Sequence, residues 1–184
     1  MQKLRELFWI FHLYLILPCI NWNDDAFRKD FDRWKSIMNM KKSNWRALAE
    51  ILSSKPEFRN LLIYRNRHRP ISRRWITFWY RPLQTLYIEA AEIGGGLYIQ
   101  HGFSTMIAAK SIGENCWINQ QVTIGYNGHG DPPVIGNNVT IACGAKVLGS
   151  IIVEDNAVIG ANAVVVKNVK SGAIMGGVPA RRIK

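Results

Sequence analysis

The chain has 184 residues, 48% of them hydrophobic and 20% charged, which suits one medium domain or a domain with an appendage and excludes a disordered chain. Twenty-four Lys+Arg against thirteen Asp+Glu leave a net charge of +11, with a pI near 9.9, so anionic company is expected. The three cysteines, Cys19, Cys116 and Cys143, lack CxxC spacing, which argues against a disulfide scaffold or zinc ribbon and for a reducing compartment.

The first element is apolar. Leu7 to Ile20 reads LFWIFHLYLILPCI behind Lys3 and Arg5, which imitates a signal peptide, but no small-x-small cleavage site follows. The stretch is shorter than the roughly 18 apolar residues of a membrane span. A helix buried in an oligomer and a helix lying on a membrane surface both stay open. His12 within it is expected to make an intramolecular hydrogen bond.

Residues 1–90 are expected to form an α-helical N-terminal region. Trp45, Leu48, Ala49 and Leu52 recur at helical spacing behind a cap at Ser43 or Asn44. Pro56 suits the start of the next helix, whose face is Phe58, Leu61, Leu62 and Arg65. A third aromatic, amphipathic segment runs from Ile71 to Ala91. Through Ile93 there are 17 Lys+Arg and 9 acids. No acid occurs between Phe58 and Ile88, where Arg59, Arg65, Arg67, Arg69, Arg73, Arg74 and Arg81 all fall. Read plainly, this is a solvated basic face. Read functionally, it is a patch for anionic lipid or phosphorylated substrate. No nucleic-acid-binding motif accompanies it, and no nucleic-acid partner is expected.

Residues 91–184 carry a repeat. Ile135, Ile141, Val147, Val153, Ile159 and Val165 stand six apart, and Val139, Ala145, Ile151, Ala157, Ala163 and Val169 follow each by four. Ile112, Ile118 and Ile124 keep the spacing upstream. A period of six is neither helix nor flat strand; it fits a triangular solenoid, a mainly β fold with short strands turning a corner every six residues. Two interruptions stand out. Ile93 and Ile99 run one residue out of register with Ile112, and the loop at 125–134 leaves eleven positions rather than twelve between Ile124 and Ile135. His101 lies in the first and His129 in the second. Loops on a rigid stack are suited to holding reactive groups.

The motifs IGGGLYIQHG, SIGENCWINQQVTIG, PVIGNNVTIACGAKVLGSI, VIGANAVVVKNV and GGVPARRI resemble, in this order, those of the left-handed β-helix (hexapeptide-repeat) acyltransferases, serine acetyltransferase-like branch. The resemblance covers half the chain, and GGVPARRI is its most specific signature. It implies a left-handed parallel β-helix, acetyl-CoA as co-substrate, no metal, and a homotrimer or dimer of trimers with sites between adjacent β-helices. It assigns His101 as general base, with His129 as the second catalytic candidate. Cys143, Ala161, Val166, Lys167 and Arg181 fall on the CoA groove, where small side chains admit the pantetheine and cations meet the phosphates. Cys143 reads as a spacer and not as a nucleophile, since no neighbour in sequence would activate its thiol.

Three departures bear on the acceptor. Gln100 stands where the family has aspartate before the base, Leu86 or Tyr87 falls near its orienting carboxylate with Glu89 the nearest acid, and Pro132 replaces a second histidine. A serine ammonium wants a carboxylate partner, whereas a sugar hydroxyl does not. The chain ends at Lys184, without the tail by which serine acetyltransferases engage a partner enzyme. The expected function is therefore O-acetylation of a saccharide in capsule or exopolysaccharide biosynthesis, by a cytoplasmic protein peripheral at the inner membrane face. The alternative is serine O-acetylation for cysteine biosynthesis. A zinc carbonic anhydrase would need three histidine ligands, and the repeats supply two. A pure scaffold or membrane-binding module would not need Lys167 or the GVPAR segment.

Overall fold

A computed structural model describes residues 2–128 and 130–184, the side chains of 2–7 apart. The chain divides into two compact units, Met1–Leu83 and Gln84–Lys184. The boundary falls earlier than the 90/91 expected, because Leu86–Ile88 already pairs with a strand of the second unit.

Among the described residues the first unit holds five helices: α1 (Gln2–Ile16), α2 (Asp25–Ile37), α3 (Asn44–Ser54), α4 (Pro56–Arg65) and α5 (Pro70–Trp79), with a 3-10 turn at Leu17–Cys19. Their inward faces supply a core that includes Leu13, Ile16, Phe31, Trp34, Leu48, Leu52, Phe58 and Leu62. The apolar run is thus half core. Its His12 Nδ1 lies 2.8 Å from the Phe8 carbonyl one turn back. No helix among the described residues is long and apolar enough to cross a membrane.

Several details differ from expectation. Asp24 caps α2, accepting from the Ala26 and Phe27 amides at 3.0 and 3.5 Å. Ser43 occupies the cap position of α3 but makes no side-chain cap bond. Asn44 instead accepts from Lys35 Nζ at 2.7 Å. Trp45 is half-exposed, its ring 5.4 Å from that of Trp22. Arg65 does turn inward, because its guanidinium forms a fork on Asp30: Nε donates to Oδ2 at 2.8 Å and Nη2 to Oδ1 at 3.2 Å.

The second unit is a left-handed parallel β-helix whose short strands stack into three sheets, here A, B and C. Sheet A is β1 (Leu86–Ile88), β4 (Thr105–Ile107), β7 (Thr123–Gly125), β10 (Lys146–Leu148) and β13 (Val164–Val165). Sheet B is β2 (Glu92–Ile93), β5 (Ser111–Ile112), β8 (Val134–Ile135) and β11 (Ile152–Val153). Sheet C is β3 (Tyr98–Gln100), β6 (Trp117–Asn119), β9 (Thr140–Ile141), β12 (Val158–Ile159) and β14 (Ile174–Gly176), closed by antiparallel β15 (Arg181–Arg182).

Both hexad registers point inward. Ile135, Ile141, Val147, Val153, Ile159 and Val165 are buried, and so are Val139, Ala145, Ile151, Ala157, Ala163 and Val169. Val169 departs from its expected slot and pairs with Val153 as an aliphatic of the main register. Stacking like residues, such as Ile99, Ile118, Ile141 and Ile159, fills the interior coil by coil.

The interruptions resolve into corners. Ile124 sits on sheet A and Ile135 on the next face, sheet B, so the loop adds five residues to one corner; it does not take one from two repeats. The upstream slip combines two added residues between Ile99 and Ile107 with one fewer between Ile107 and Ile112.

Candidate functional site

The corner between sheets C and A repeats one design. Gly144 N–H donates to Gln120 O at 3.0 Å, Asn162 N–H to Cys143 O at 2.9 Å, and Gln121 N–H to Phe103 O at 3.0 Å. The column along this corner is therefore Phe103, Gln120, Cys143 and Ala161. Each of the last three is followed by a residue with positive φ: Gln121 at 60°, Gly144 at 73° and Asn162 at 55°. That conformation costs glycine nothing and asparagine little, which is why they recur here.

His101 and Gly102 are the two residues that the first coil adds to this corner. His101 follows β3 directly, is exposed, and itself holds a φ of 53°. A left-handed backbone at a histidine is uncommon and sits at a place where the chain is otherwise held by rigid rungs. The sequence slip at Ile93 and Ile99 was the trace of this insertion.

Beside it lies an aromatic and amide cluster on sheet C. Gln100 pairs in register with Asn119, and Tyr98 with Trp117. Trp117 Nε1–H donates to Gln100 Oε1 at 3.2 Å, while the Tyr98 and Trp117 rings meet edge to face at 4.7 Å. With its oxygen engaged, the Gln100 carboxamide keeps its NH2, a donor. Asn119 Oδ1 is buried and unpartnered among the described residues. Leu86 is buried in the coil core, Tyr87 is exposed on sheet A, and Glu89 follows β1 at the corner leading to sheet B. The acid nearest in sequence is thus at the A–B corner, whereas His101 opens the C–A corner.

The predicted CoA residues fall into two groups. Half-buried Cys143 and exposed Ala161 lie on the corner column, where strand spacing of about 4.8 Å places Ala161 about 14 Å beyond the first rung. Val166, Lys167 and Arg181 line a cavity of 360 Å³ together with Val165, Met175, Pro179, Ala180 and Arg182. The terminal segment closes it, since Ala180 N–H donates to Val164 O at 2.8 Å. Gly177 O accepts from Val164 N–H at 3.0 Å, which brings the cavity to the end of the same corner. Lys167, Arg181 and Arg182 can meet phosphates there, and the small corner residues can admit a slender chain. Sequence reasoning missed Arg182, Trp117 and Asn119; the adjacent arginines in GGVPARRI were the one available signal. His129 lies outside the described residues. Among those described, no group of three or more His, Cys, Asp or Glu side chains is placed to hold a metal.

The arginine stretch of the first unit is largely committed to the fold. Arg59 donates to the carbonyls of Leu52, Ser53 and Arg81, and Arg65 is paired with Asp30. Arg69 reaches the Pro18 and Cys19 carbonyls, and Arg67 lies over the Tyr64 ring at 4.3 Å. Arg73, Arg74 and Arg81 are exposed. The expected patch of seven is therefore a much smaller one.

A family model described as bacterial transferase hexapeptide (six repeats) matches residues 132–167. The serine acetyltransferase of Synechococcus elongatus is 35% identical over 145 residues, which are 73% of this chain and 59% of that protein. The serine acetyltransferase of Staphylococcus epidermidis is 39% identical over 127 residues, 66% of this chain and 59% of the relative. The chain thus spans less than two thirds of these relatives' length. Among solved structures, Brucella abortus serine acetyltransferase in complex with coenzyme A covers 94% of this chain and 72% of its own, at a TM-score of 0.65 and 23% identity. Soybean serine acetyltransferase complexed with serine covers 86% and 68%, at 0.64 and 25%. The structural likeness speaks to the fold.

Proposed function

We propose that the chain is a member of the left-handed β-helix (hexapeptide-repeat) acyltransferase family and acts as an acetyl-CoA-dependent O-acetyltransferase. The observation that carries the reading is the corner column, with exposed His101 at one end and the cavity of Lys167, Arg181 and Arg182 at the other. Lys167 and the arginines hold the CoA phosphates, the pantetheine runs past Ala161 and Cys143, and the thioester comes to His101. The imidazole takes the acceptor hydroxyl's proton as the oxygen attacks the thioester carbonyl. The tetrahedral intermediate collapses, the C–S bond breaks, and the imidazolium returns that proton to the departing thiolate. A homotrimer or dimer of trimers, with the corner in the groove between neighbours, is part of this reading.

L-serine is the acceptor the comparisons favour, ahead of the saccharide expected from the sequence, because the relatives that match are named serine acetyltransferases. One observation supports a saccharide as the second reading. Gln100 offers an N–H donor where a serine ammonium would need an acceptor or an acid. The experiment is thiol release from acetyl-CoA with L-serine and with neutral mono- and oligosaccharides, each product weighed by mass spectrometry. Turnover of serine at about 1–10³ s⁻¹ supports the first reading, and turnover confined to saccharides replaces it with the second. No acceptor-dependent thiol release rejects both. A peripheral membrane contact also belongs to the proposal, on residues other than the arginine stretch as a whole.

A further inference from the structure

Helices α1 and α5 leave an apolar face uncovered. Phe8, Phe11, Tyr14, Ile71, Trp75 and Phe78 are between 45 and 84% exposed, far from the behaviour of large side chains that belong to a core. The two helices are tied together by Trp75 Nε1–H, which donates to the Leu15 carbonyl at 2.7 Å. The rings of Phe8, Phe11, Trp75 and Phe78 are linked through those of His12 and Trp79. Phe8 and Phe11 meet His12 at 4.0 and 5.9 Å, His12 meets Trp79 at 5.4 Å, and Trp79 meets Phe78 and Trp75 at 5.1 and 6.0 Å. Scattered exposed hydrophobics need no explanation, but a contiguous aromatic patch built from two helices marks a contact surface.

Charge selects the occupant. Arg73 and Arg74 sit on α5 within the patch's own sequence, both exposed, and neither is among the arginines drawn into the fold. No acid lies between Phe58 and Ile88, so no carboxylate of that stretch neutralises them. A two-fold contact between copies would set the same patch against itself and bring these arginines into like-charged company. An anionic bilayer has the complementary sign, and Trp, Tyr and Phe with arginine is the composition that rests at the headgroup boundary. At 15 and 10 residues, neither helix is long and apolar enough to cross a bilayer.

We propose that the Phe8, Phe11, Tyr14, Ile71, Trp75 and Phe78 face, with Arg73 and Arg74, docks the helical unit onto an anionic membrane surface. The inference does not depend on acetyl transfer. It narrows the basic stretch to the two arginines that share a helix with the aromatic face and gives the exposed side of the apolar N-terminal run a role.

The test is co-sedimentation of the full chain with vesicles of phosphatidylcholine alone and of phosphatidylcholine with phosphatidylglycerol. Binding is expected to the anionic vesicles, weakening as salt rises. Arg73→Gln and Arg74→Gln should each lower partitioning about fivefold, the effect of one basic residue near such a surface. Phe11→Ser with Phe78→Ser should abolish it while the thermal melt stays at the wild-type temperature, since both side chains are exposed. Should that pair misfold, the arginine variants still decide. Equal binding to both vesicle types, or none to either, would overturn the proposal. So would concentration-dependent assembly that Phe11→Ser with Phe78→Ser abolishes, in a protein that ignores vesicles: the face would then meet a second copy.

Discussion

Trp117 donates its indole N–H to Gln100 Oε1 at 3.2 Å, from the neighbouring rung of sheet C and one residue before His101. The bond engages the carboxamide oxygen, and in the proposed reading it leaves the NH2 to meet an incoming acceptor. Gln100→Asp would keep an acceptor for the indole and add a negative charge for an ammonium. We expect kcat/KM for L-serine to rise about 10–150-fold, the worth of a charged hydrogen bond of about 1.5–3 kcal/mol, with the KM for acetyl-CoA unchanged. Steady-state kinetics of both substrates check this. No gain would mean that Gln100 does not set the preference.

Lys167 and Arg181 line the terminal cavity but lie away from His101's corner insertion. Lys167→Gln and Arg181→Gln should therefore raise the KM for acetyl-CoA by about tenfold or more, the loss of one charge-assisted phosphate contact, and leave kcat nearly intact. A fall in kcat at saturating acetyl-CoA, with KM unchanged, would place these cations at the reacting group instead.

The coils should stand or fall by their interior. Ile141 and Ile159 are 1% and 0% exposed and stack directly on each other. Ile141→Asp or Ile159→Asp buries an unpaired carboxylate and should cost several kcal/mol in urea unfolding. A variant that melts like the wild type would contradict the inward register.

Tyr80 provides a pH test in the helical unit. Its hydroxyl is buried without a partner among the described residues, and burial pushes the phenol up to about 12, with Arg59 pulling the other way. A raised folded-state pKa favours the protonated native state. The contribution is complete below the unfolded phenol's value near 10 and is lost as pH rises towards about 12. The wild type should thus lose about 2 kcal/mol relative to Tyr80→Phe between pH 8 and pH 11.5, seen in denaturant melts at the two values. At pH 8 Tyr80→Phe should be as stable as the wild type or more so, because it removes an unsatisfied hydroxyl.

The fold was legible because period six has one common physical solution, and both inward registers could be counted. Where the coils depart from six, counting alone misleads. The eleven positions between Ile124 and Ile135 look like a residue missing from two repeats, yet the register puts five extra residues in one corner. The one-residue slip at Ile93 hides an insertion and a deletion that nearly cancel, and the insertion is His101–Gly102 itself. Charge is harder to read, since a sum over sequence cannot see partners. Arg65 is matched by Asp30, thirty-five residues away, and Arg59 and Arg69 by backbone carbonyls. Of the cations lining the terminal cavity, Arg181 was expected from GGVPARRI and its neighbour Arg182 was not, whereas the Trp117–Gln100 bond joins rungs seventeen residues apart and left no local signal.

The central claim is that His101 moves the acceptor's proton. The direct measurement is thiol release from acetyl-CoA by the wild type and by His101→Asn, at saturating acceptor and donor. Asparagine tolerates the φ of 53° that His101 holds, so the corner is kept while the base is removed. We predict that kcat falls about 10²–10⁴-fold while acetyl-CoA still binds. Turnover by His101→Asn at the wild-type rate would contradict the account.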